Sequence, residues 1–163
     1  MIKTSIILLS ILLLSACDTM ENNSVITAQP YIGLDERIHR AELKELLDVD
    51  PVRVEWCAAF VNAILELDGI PNNEDHEYPL LARSFLEWGD RVDPADIQRG
   101  DVVVFPRGNQ GWQGHVGFYV DTQFIDGKEI WIILGGNQSK SVRYDFFSPN
   151  KALGIRRQLR QRY

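Results

Sequence analysis

The sequence predicts an α+β domain in which amino-terminal helices pack on a carboxy-terminal antiparallel sheet. Three observations support this prediction. Apolar residues between positions 34 and 88 recur with a helical period, whereas short β-branched and aromatic runs begin at position 101 and alternate with turn residues. The helical segments all come before the strands. Such segregation is typical of helices packed against an antiparallel sheet, not of a parallel sheet with alternating elements.

Three helices are predicted in the first half of the chain, over 34–47, 55–68 and 79–88. Asp50-Pro51, Gly69 and Gly89 follow them as breaks, because proline and glycine end helices. The second helix is apolar on nearly all sides, so we expect it to lie at the centre of the domain.

Five strands are predicted in the second half. They cover residues 101–105, 115–120, 129–134, 141–144 and 153–156. Glycine, proline and asparagine lie between them, as expected of turns. Asp126-Gly127 suits a two-residue hairpin turn.

Composition excludes several classes of protein. A chain of 163 residues suits a single domain, and 17 basic against 23 acidic residues give a net charge of −6. This charge argues against a nucleic-acid partner, because neutralising phosphates requires a basic surface. Two cysteines and three histidines cannot supply a zinc site with several thiolates or a disulfide framework. We expect no metal and no other cofactor.

The amino terminus has the pattern of an export signal. A positive charge at Lys3 precedes an apolar run over 6–14, which is shorter than the roughly 20 residues needed to span a bilayer. Leu14-Ser-Ala-Cys17 resembles a bacterial lipobox, which implies cleavage before Cys17 and lipidation of its sulfur. We therefore predict a signal peptide over 1–16, a lipidated cysteine with a flexible tether over 17–33, and a folded domain over 34–163.

Lipidation implies a location. The protein is expected in the bacterial cell envelope, anchored to a membrane by lipid and facing the periplasm or the exterior. Asp18 directly after the lipidated cysteine resembles the signal that keeps enterobacterial lipoproteins in the inner membrane. That membrane is favoured if the cell is Gram-negative.

Cys57 is the thiol left over if Cys17 is lipidated. One interpretation is a buried small apolar residue within an apolar helix. The other is a nucleophile, because Cys57 lies in the first turn of a predicted helix, where backbone N–H groups and the helix dipole favour a thiolate. A charge on Glu55 would oppose ionisation, so we expect that side chain to point elsewhere.

His115 is the candidate base. It begins a strand after the glycine-rich segment 108–114. If the strands on either side of Asp126-Gly127 pair through a two-residue turn, His115 faces Gln138, and a single bulge moves its partner to Asn137. Either amide could accept a hydrogen bond from one imidazole nitrogen and leave the other nitrogen to take the thiol proton.

Five blocks of sequence resemble one family. The blocks are Glu55-Trp-Cys-Ala-Ala-Phe-Val-Asn62, Ala82-Arg-Ser-Phe-Leu-Glu-Trp-Gly89, Gly100-Asp-Val-Val-Val-Phe105, Gly114-His-Val-Gly-Phe-Tyr-Val120 and Leu134-Gly-Gly-Asn-Gln-Ser139. They are similar to the NlpC/CHAP-type cysteine peptidases of bacterial and phage cell-wall hydrolases, which have a papain-like fold. The resemblance implies that Cys57 is the nucleophile, His115 the base and Asn137 the orienting residue, with Gln138 as the alternative in the last role.

The resemblance also implies a substrate. A protein of this family would cleave amide bonds of peptidoglycan. Independently of the resemblance, the position of Trp112 in the glycine- and glutamine-rich loop just before His115 suggests a wall of the substrate cleft, with packing within the loop as the alternative. Two other functions remain open. One is a catalytically silent lipoprotein of the same fold that binds wall peptides or a partner protein. The other is a thiol enzyme acting on different amides or acyl groups.

Overall fold

The computed structural model describes residues 24–158. Three α-helices precede the sheet: α1 (Ser24–Ala28), α2 (Arg40–Leu47) and α3 (Cys57–Leu67). Within residues 24–158, no helix combines the length and the apolar composition needed to cross a bilayer. The predicted signal peptide, Cys17 and Asp18 lie outside the described residues.

The sheet has six strands. They are β1 (Asp90–Arg91), β2 (Val102–Pro106), β3 (Gly114–Ile125), β4 (Lys128–Gln138), β5 (Ser141–Phe147) and β6 (Gly154–Arg157). The spatial order is β1-β6-β2-β3-β4-β5, and every neighbouring pair is antiparallel. The predicted α+β class, with helices before an antiparallel sheet, is confirmed. The sequence analysis missed β1, because two residues are too few to show a period.

Apolar side chains cover both faces of the sheet. Val102 and Val104 of β2 face α3 and belong to the larger core, whereas Val103 and Phe105 belong to a second core on the opposite face. This alternation follows from the period of two along a strand. Helix α3 is buried along almost its whole length, so the predicted central helix is confirmed.

Residues 24–33 differ from the predicted flexible tether. They form α1 and a following turn, and both Val25 and Ala28 are buried in the larger core. The backbone N–H of Gly33 donates to the carbonyl of Val142 at 2.8 Å. Packing against the rest of the chain therefore orders a segment that is too short to show a helical period, and the folded part begins before residue 34.

Two predicted helices are shorter than expected. The first begins only at Arg40, because the Asp35 carboxylate accepts the N–H groups of Arg37 and Ile38 and holds a turn there. The third is a 3-10 helix over Ala82–Leu86. Side-chain hydrogen bonds of this kind compete locally with α-helix formation.

The β3–β4 hairpin has the predicted two-residue turn. Asp126 and Gly127 have φ values of 51° and 72°, and Ile125 pairs with Lys128. Two irregularities interrupt the register farther along. One lies in the β3–β4 pair between Tyr119 and Asp121, and the other lies in the β4–β5 pair between Gly135 and Gln138. They set where the residues at the end of β4 project.

Gly136 allows β4 to approach the start of α3. A Cβ atom at this position would lie 2.6 Å from Phe60 Cβ and 2.6 Å from Trp56 Cζ3. We therefore predict that Gly136→Ala lowers the free energy of unfolding by about 1–3 kcal/mol, the usual cost of an overpacked core. Denaturant titration measures this change.

Gly111→Ala is the matched control, because no atom lies within 4 Å of the position that its Cβ would take. We expect its unfolding midpoint to stay near that of the wild type. Equal stability of Gly136→Ala and Gly111→Ala would contradict the close approach of β4 to α3.

Candidate active site

Cys57 is the first residue of α3 and is 3% exposed. The backbone N–H groups of Val116 and Ala58 donate hydrogen bonds to its sulfur. Val116 directly follows His115 near the start of β3. The thiol therefore lies directly against the beginning of the strand that carries His115.

Burial raises the pKa of the Cys57 thiol. The Val116 N–H, the charge of Arg107 and the Ala58 N–H act in the opposite direction, while Glu55 adds a small further rise. The expectation of a thiolate favoured by the helix start is therefore wrong for the resting protein. The cost of burying a charged sulfur exceeds the stabilisation of the thiolate by the two N–H groups and by Arg107, so Cys57 rests as a thiol.

His115 is 2% exposed and lies opposite Phe105 on the neighbouring strand. Its ring stacks on Phe147 with a centroid separation of 5.6 Å and an interplanar angle of 12°. Its Nε2 lies 2.9 Å from Oε1 of Gln138. The imidazole is thus held by a ring on one side and by an amide at one nitrogen.

The Gln138 amide determines which nitrogen of His115 carries the proton. Its Nε2 donates to the carbonyl of Ile133 at 3.2 Å and to the carbonyl of Arg143. Because the amide nitrogen is used in this way, the oxygen faces His115, and an amide oxygen only accepts. The imidazole must therefore donate from Nε2, which leaves a lone pair on Nδ1. Among the described residues, this buried Nδ1 has no hydrogen-bonding partner.

The pKa of His115 is lowered to about 4, first by burial and then by the charge of Arg107. The contact with Gln138 and the charge of Asp145 act in the opposite direction. The imidazole is therefore neutral at pH 7 and can accept a proton. At rest Cys57 is therefore an uncharged thiol and His115 an uncharged imidazole, and no hydrogen bond joins His115 Nδ1 to the Cys57 sulfur.

A cleft of about 410 Å³ opens above Cys57. Its lining comprises Glu55, Cys57, Leu80, Leu81, Ala82, Arg107, Gly108, Trp112, Gln113, Gly114, Asn137, Ser139 and Lys140. Cys57 lines the cleft, and His115 does not. The structure thus places the sulfur at the cleft, in contact with the backbone N–H of the residue that follows the buried imidazole.

Trp112 lies in the wall of this cleft and is 60% exposed. Its loop is held by Gln113, whose Oε1 accepts the backbone N–H groups of Asn109 and Gln110 at 2.9 Å and 3.0 Å. Arg83 Nε donates to the carbonyl of Gln113 at 2.7 Å. These contacts hold the loop that carries Trp112 beside the cleft.

Asn137 does not orient the imidazole. Its side chain donates to Glu55 Oε2 at 2.6 Å, and its carbonyl accepts from Arg107 Nη2 at 2.8 Å. The ring contact belongs to Gln138, the alternative from the hairpin register. The physical reason is the irregularity at the end of β4, where Asn137 takes a φ of 54° and its side chain lines the cleft.

A three-residue cluster at the cleft was missed by the sequence analysis. Glu55 points toward Arg107, with 3.6 Å between Oε2 and Nη1, and both contact Asn137. Nothing in the spacing of these three residues signals their contact, since each comes from a different part of the chain. Within residues 24–158, no group of three or more His, Cys, Asp or Glu side chains is arranged to hold a metal ion.

Among the known proteins compared with this chain, only solved structures match. No protein-family model matches the chain, and no curated protein matches it. A solved structure described as an NlpC/P60 family protein from Bacillus cereus ATCC 10987 is similar, with 21% sequence identity and a TM-score of 0.39. The similarity covers 63% of this chain and 31% of that protein.

Proposed function

We propose that this protein is a cysteine hydrolase that cleaves amide bonds of peptidoglycan peptides while a lipid holds it at a bacterial membrane. The observation that carries the proposal is the hydrogen bond from His115 to Gln138, which leaves an unprotonated Nδ1 on the residue directly before Val116, whose backbone N–H contacts the Cys57 sulfur. The five sequence blocks that resemble cell-wall hydrolases support the choice of substrate.

The mechanism begins when an amide carbonyl occupies the cleft. Substrate binding would have to bring His115 Nδ1 into contact with the Cys57 thiol, because no hydrogen bond joins them at rest. Nδ1 then accepts the proton of the thiol as the sulfur attacks the carbonyl carbon. The same proton then passes to the leaving amine, the carbon–nitrogen bond breaks and a thioester remains. A water molecule gives one proton to Nδ1 and attacks the thioester. The carbon–sulfur bond then breaks and Nδ1 returns its proton to the sulfur, so the products are a carboxylic acid and the restored thiol.

Backbone groups compensate for the burial of charge during this reaction. The N–H groups of Val116 and Ala58 favour the thiolate that forms at Cys57. The N–H of Cys57 itself, at the start of α3, would donate to the oxygen that becomes negative at the carbonyl. Loss of one such donor typically costs about 10²- to 10³-fold in rate.

We further propose that Cys17 is lipidated and anchors the domain to a membrane, which in a Gram-negative cell would be the inner membrane because of Asp18. Stable anchoring requires more than one acyl chain, since each buried CH₂ contributes about 0.8 kcal/mol. Incorporation of labelled fatty acid by the wild type, and its loss in Cys17→Ser, tests this step. Equal labelling of both proteins would contradict it.

The first prediction of this proposal concerns Cys57. The purified protein should solubilise cell-wall material and release new amines, and Cys57→Ala should abolish this release. His115→Ala should lower the rate by about 10²- to 10⁴-fold, the usual contribution of a general base. Release of amines and loss of turbidity are the measurements.

His76→Ala is the matched control, because His76 lies outside the cleft and contacts Glu87. We expect it to keep the wild-type rate. Full activity of Cys57→Ala would contradict the thiol mechanism. A wild type that binds wall peptides but releases no amine would favour a silent binding lipoprotein.

A second prediction separates Gln138 from Asn137. Gln138→Met keeps the side-chain volume but removes the acceptor of the imidazole proton, so kcat should fall by about 10- to 100-fold because the ring loses its orientation. Asn137→Ala should reduce kcat by less than about 10-fold, because Asn137 contacts Glu55 instead of the ring.

Steady-state kinetics on samples with intact circular dichroism spectra measures both effects. The reverse order, with Asn137→Ala the more damaged variant, would show that Asn137 orients the base in the working enzyme.

A further inference from the structure

The charged side chains of the cleft do not follow the net charge of the chain. The chain carries a net charge of −6, yet Arg107 and Lys140 line the cleft with Glu55 as the acidic member of the described lining. Glu55 is already engaged by Arg107 at 3.6 Å and by Asn137 at 2.6 Å. Two of the three charged side chains in the described lining are therefore cationic, although the chain as a whole is acidic.

Arg107 and Lys140 differ in what they can still bind. Arg107 Nη2 donates to the carbonyl of Asn137. Its Nη1 has no hydrogen-bonding partner in the described residues, but this atom is buried beside Glu55 and does not face a ligand in the cleft. Lys140 has a side chain that is 59% exposed, and its Nζ lies 3.4 Å from Oε1 of Glu36. An ammonium group has three donors, so Lys140 can bind a second acceptor.

Glu36 fixes the ammonium relative to the nucleophile. Its side chain is 10% exposed, and its other carboxylate oxygen accepts the indole N–H of Trp56 at 3.3 Å. Trp56 directly precedes Cys57. The cation of Lys140 is thus tied through one buried carboxylate to the residue before the reactive sulfur.

The backbone of the same loop is also held. Asn137, Ser139 and Lys140 have φ values of 54°, 50° and 67°, a conformation that non-glycine residues adopt only when their surroundings impose it. The backbone N–H of Glu36 donates to the carbonyl of Lys140 at 2.9 Å. Lys140 is therefore positioned at the cleft by its backbone as well as by its side chain.

We propose that Lys140 determines specificity by binding a free carboxylate of the substrate, so that the protein prefers wall peptides with free carboxyl groups over peptides whose carboxyl groups are amidated. This inference rests on the proposed function of the cleft. A carboxylate accepts a charge-assisted hydrogen bond from the ammonium group, whereas a neutral carboxamide gains no such charge interaction. The apolar side chains of Leu80, Leu81 and Trp112 would pack against the uncharged parts of the same peptide.

A binding experiment tests this inference without requiring turnover. The Cys57→Ala protein is titrated with two synthetic wall peptides that differ only in having free carboxylates or carboxamides, and calorimetry gives both dissociation constants. We expect about 5-fold tighter binding of the free acid, since a partly exposed charge pair contributes on the order of 1 kcal/mol. The preference should shrink as salt is added.

Lys140→Met in the same background should remove the preference, and Lys140→Arg should retain it. Lys128→Met, at the exposed β3–β4 turn, is the matched control and should retain it as well. Equal affinity for both peptides, binding of neither peptide, or a preference that survives Lys140→Met would overturn the inference.

The wild type then separates this inference from the proposed function. A preference for the free acid without cleavage of either peptide would contradict the hydrolase proposal and support the role of Lys140. Equal cleavage and equal binding of both peptides would contradict the role of Lys140 and leave the hydrolase intact.

Discussion

The hydrogen bond from His115 Nε2 to Gln138 Oε1 is the interaction on which the candidate site depends. It exists in this direction because the amide nitrogen of Gln138 is occupied by two backbone carbonyls. The orientation of one amide thus decides that Nδ1 of the imidazole is free of a proton. That amide lies where it does because β4 departs from regular pairing just before Gln138, at Gly136 and Asn137. The irregular pairing of β4 therefore determines which nitrogen of His115 carries the proton.

Burial gives the pair its resting state. It raises the pKa of Cys57 and lowers the pKa of His115 to about 4, so that neither group is charged near neutral pH. A preformed ion pair would require two charges away from water, which is costly. Charge would form only as the sulfur attacks a carbonyl, with the N–H groups of Val116 and Ala58 stabilising the sulfur. In this account the neutral thiol is kept from oxidation until a substrate arrives, since the thiolate is the form that oxidises.

The sequence predicted the features that are set locally. The α+β order, the turn at Asp126-Gly127 and a helix with Cys57 in its first turn each depend on neighbouring residues, and the structure contains all three. The sequence did not determine whether Asn137 or Gln138 contacts the imidazole, because the answer depends on bulges in the sheet. The structure has two such irregularities, and Gln138 makes the contact. Contacts between residues far apart in the chain could not be predicted from local sequence patterns. No local pattern joins Glu36 to Lys140, and the packing that orders residues 24–33 comes from the body of the domain.

Nuclear magnetic resonance of the imidazole nitrogens tests the central claim most directly. In protein labelled with ¹⁵N at histidine, and with the signals assigned through His115→Asn, the account predicts a proton on Nε2 and none on Nδ1 at pH 7. Protonation of Nδ1 should occur only near pH 4, and alkylation of the Cys57 thiol should shift the Nδ1 signal. A proton on Nδ1 at pH 7, or an Nδ1 signal that ignores the modified sulfur, would contradict the account.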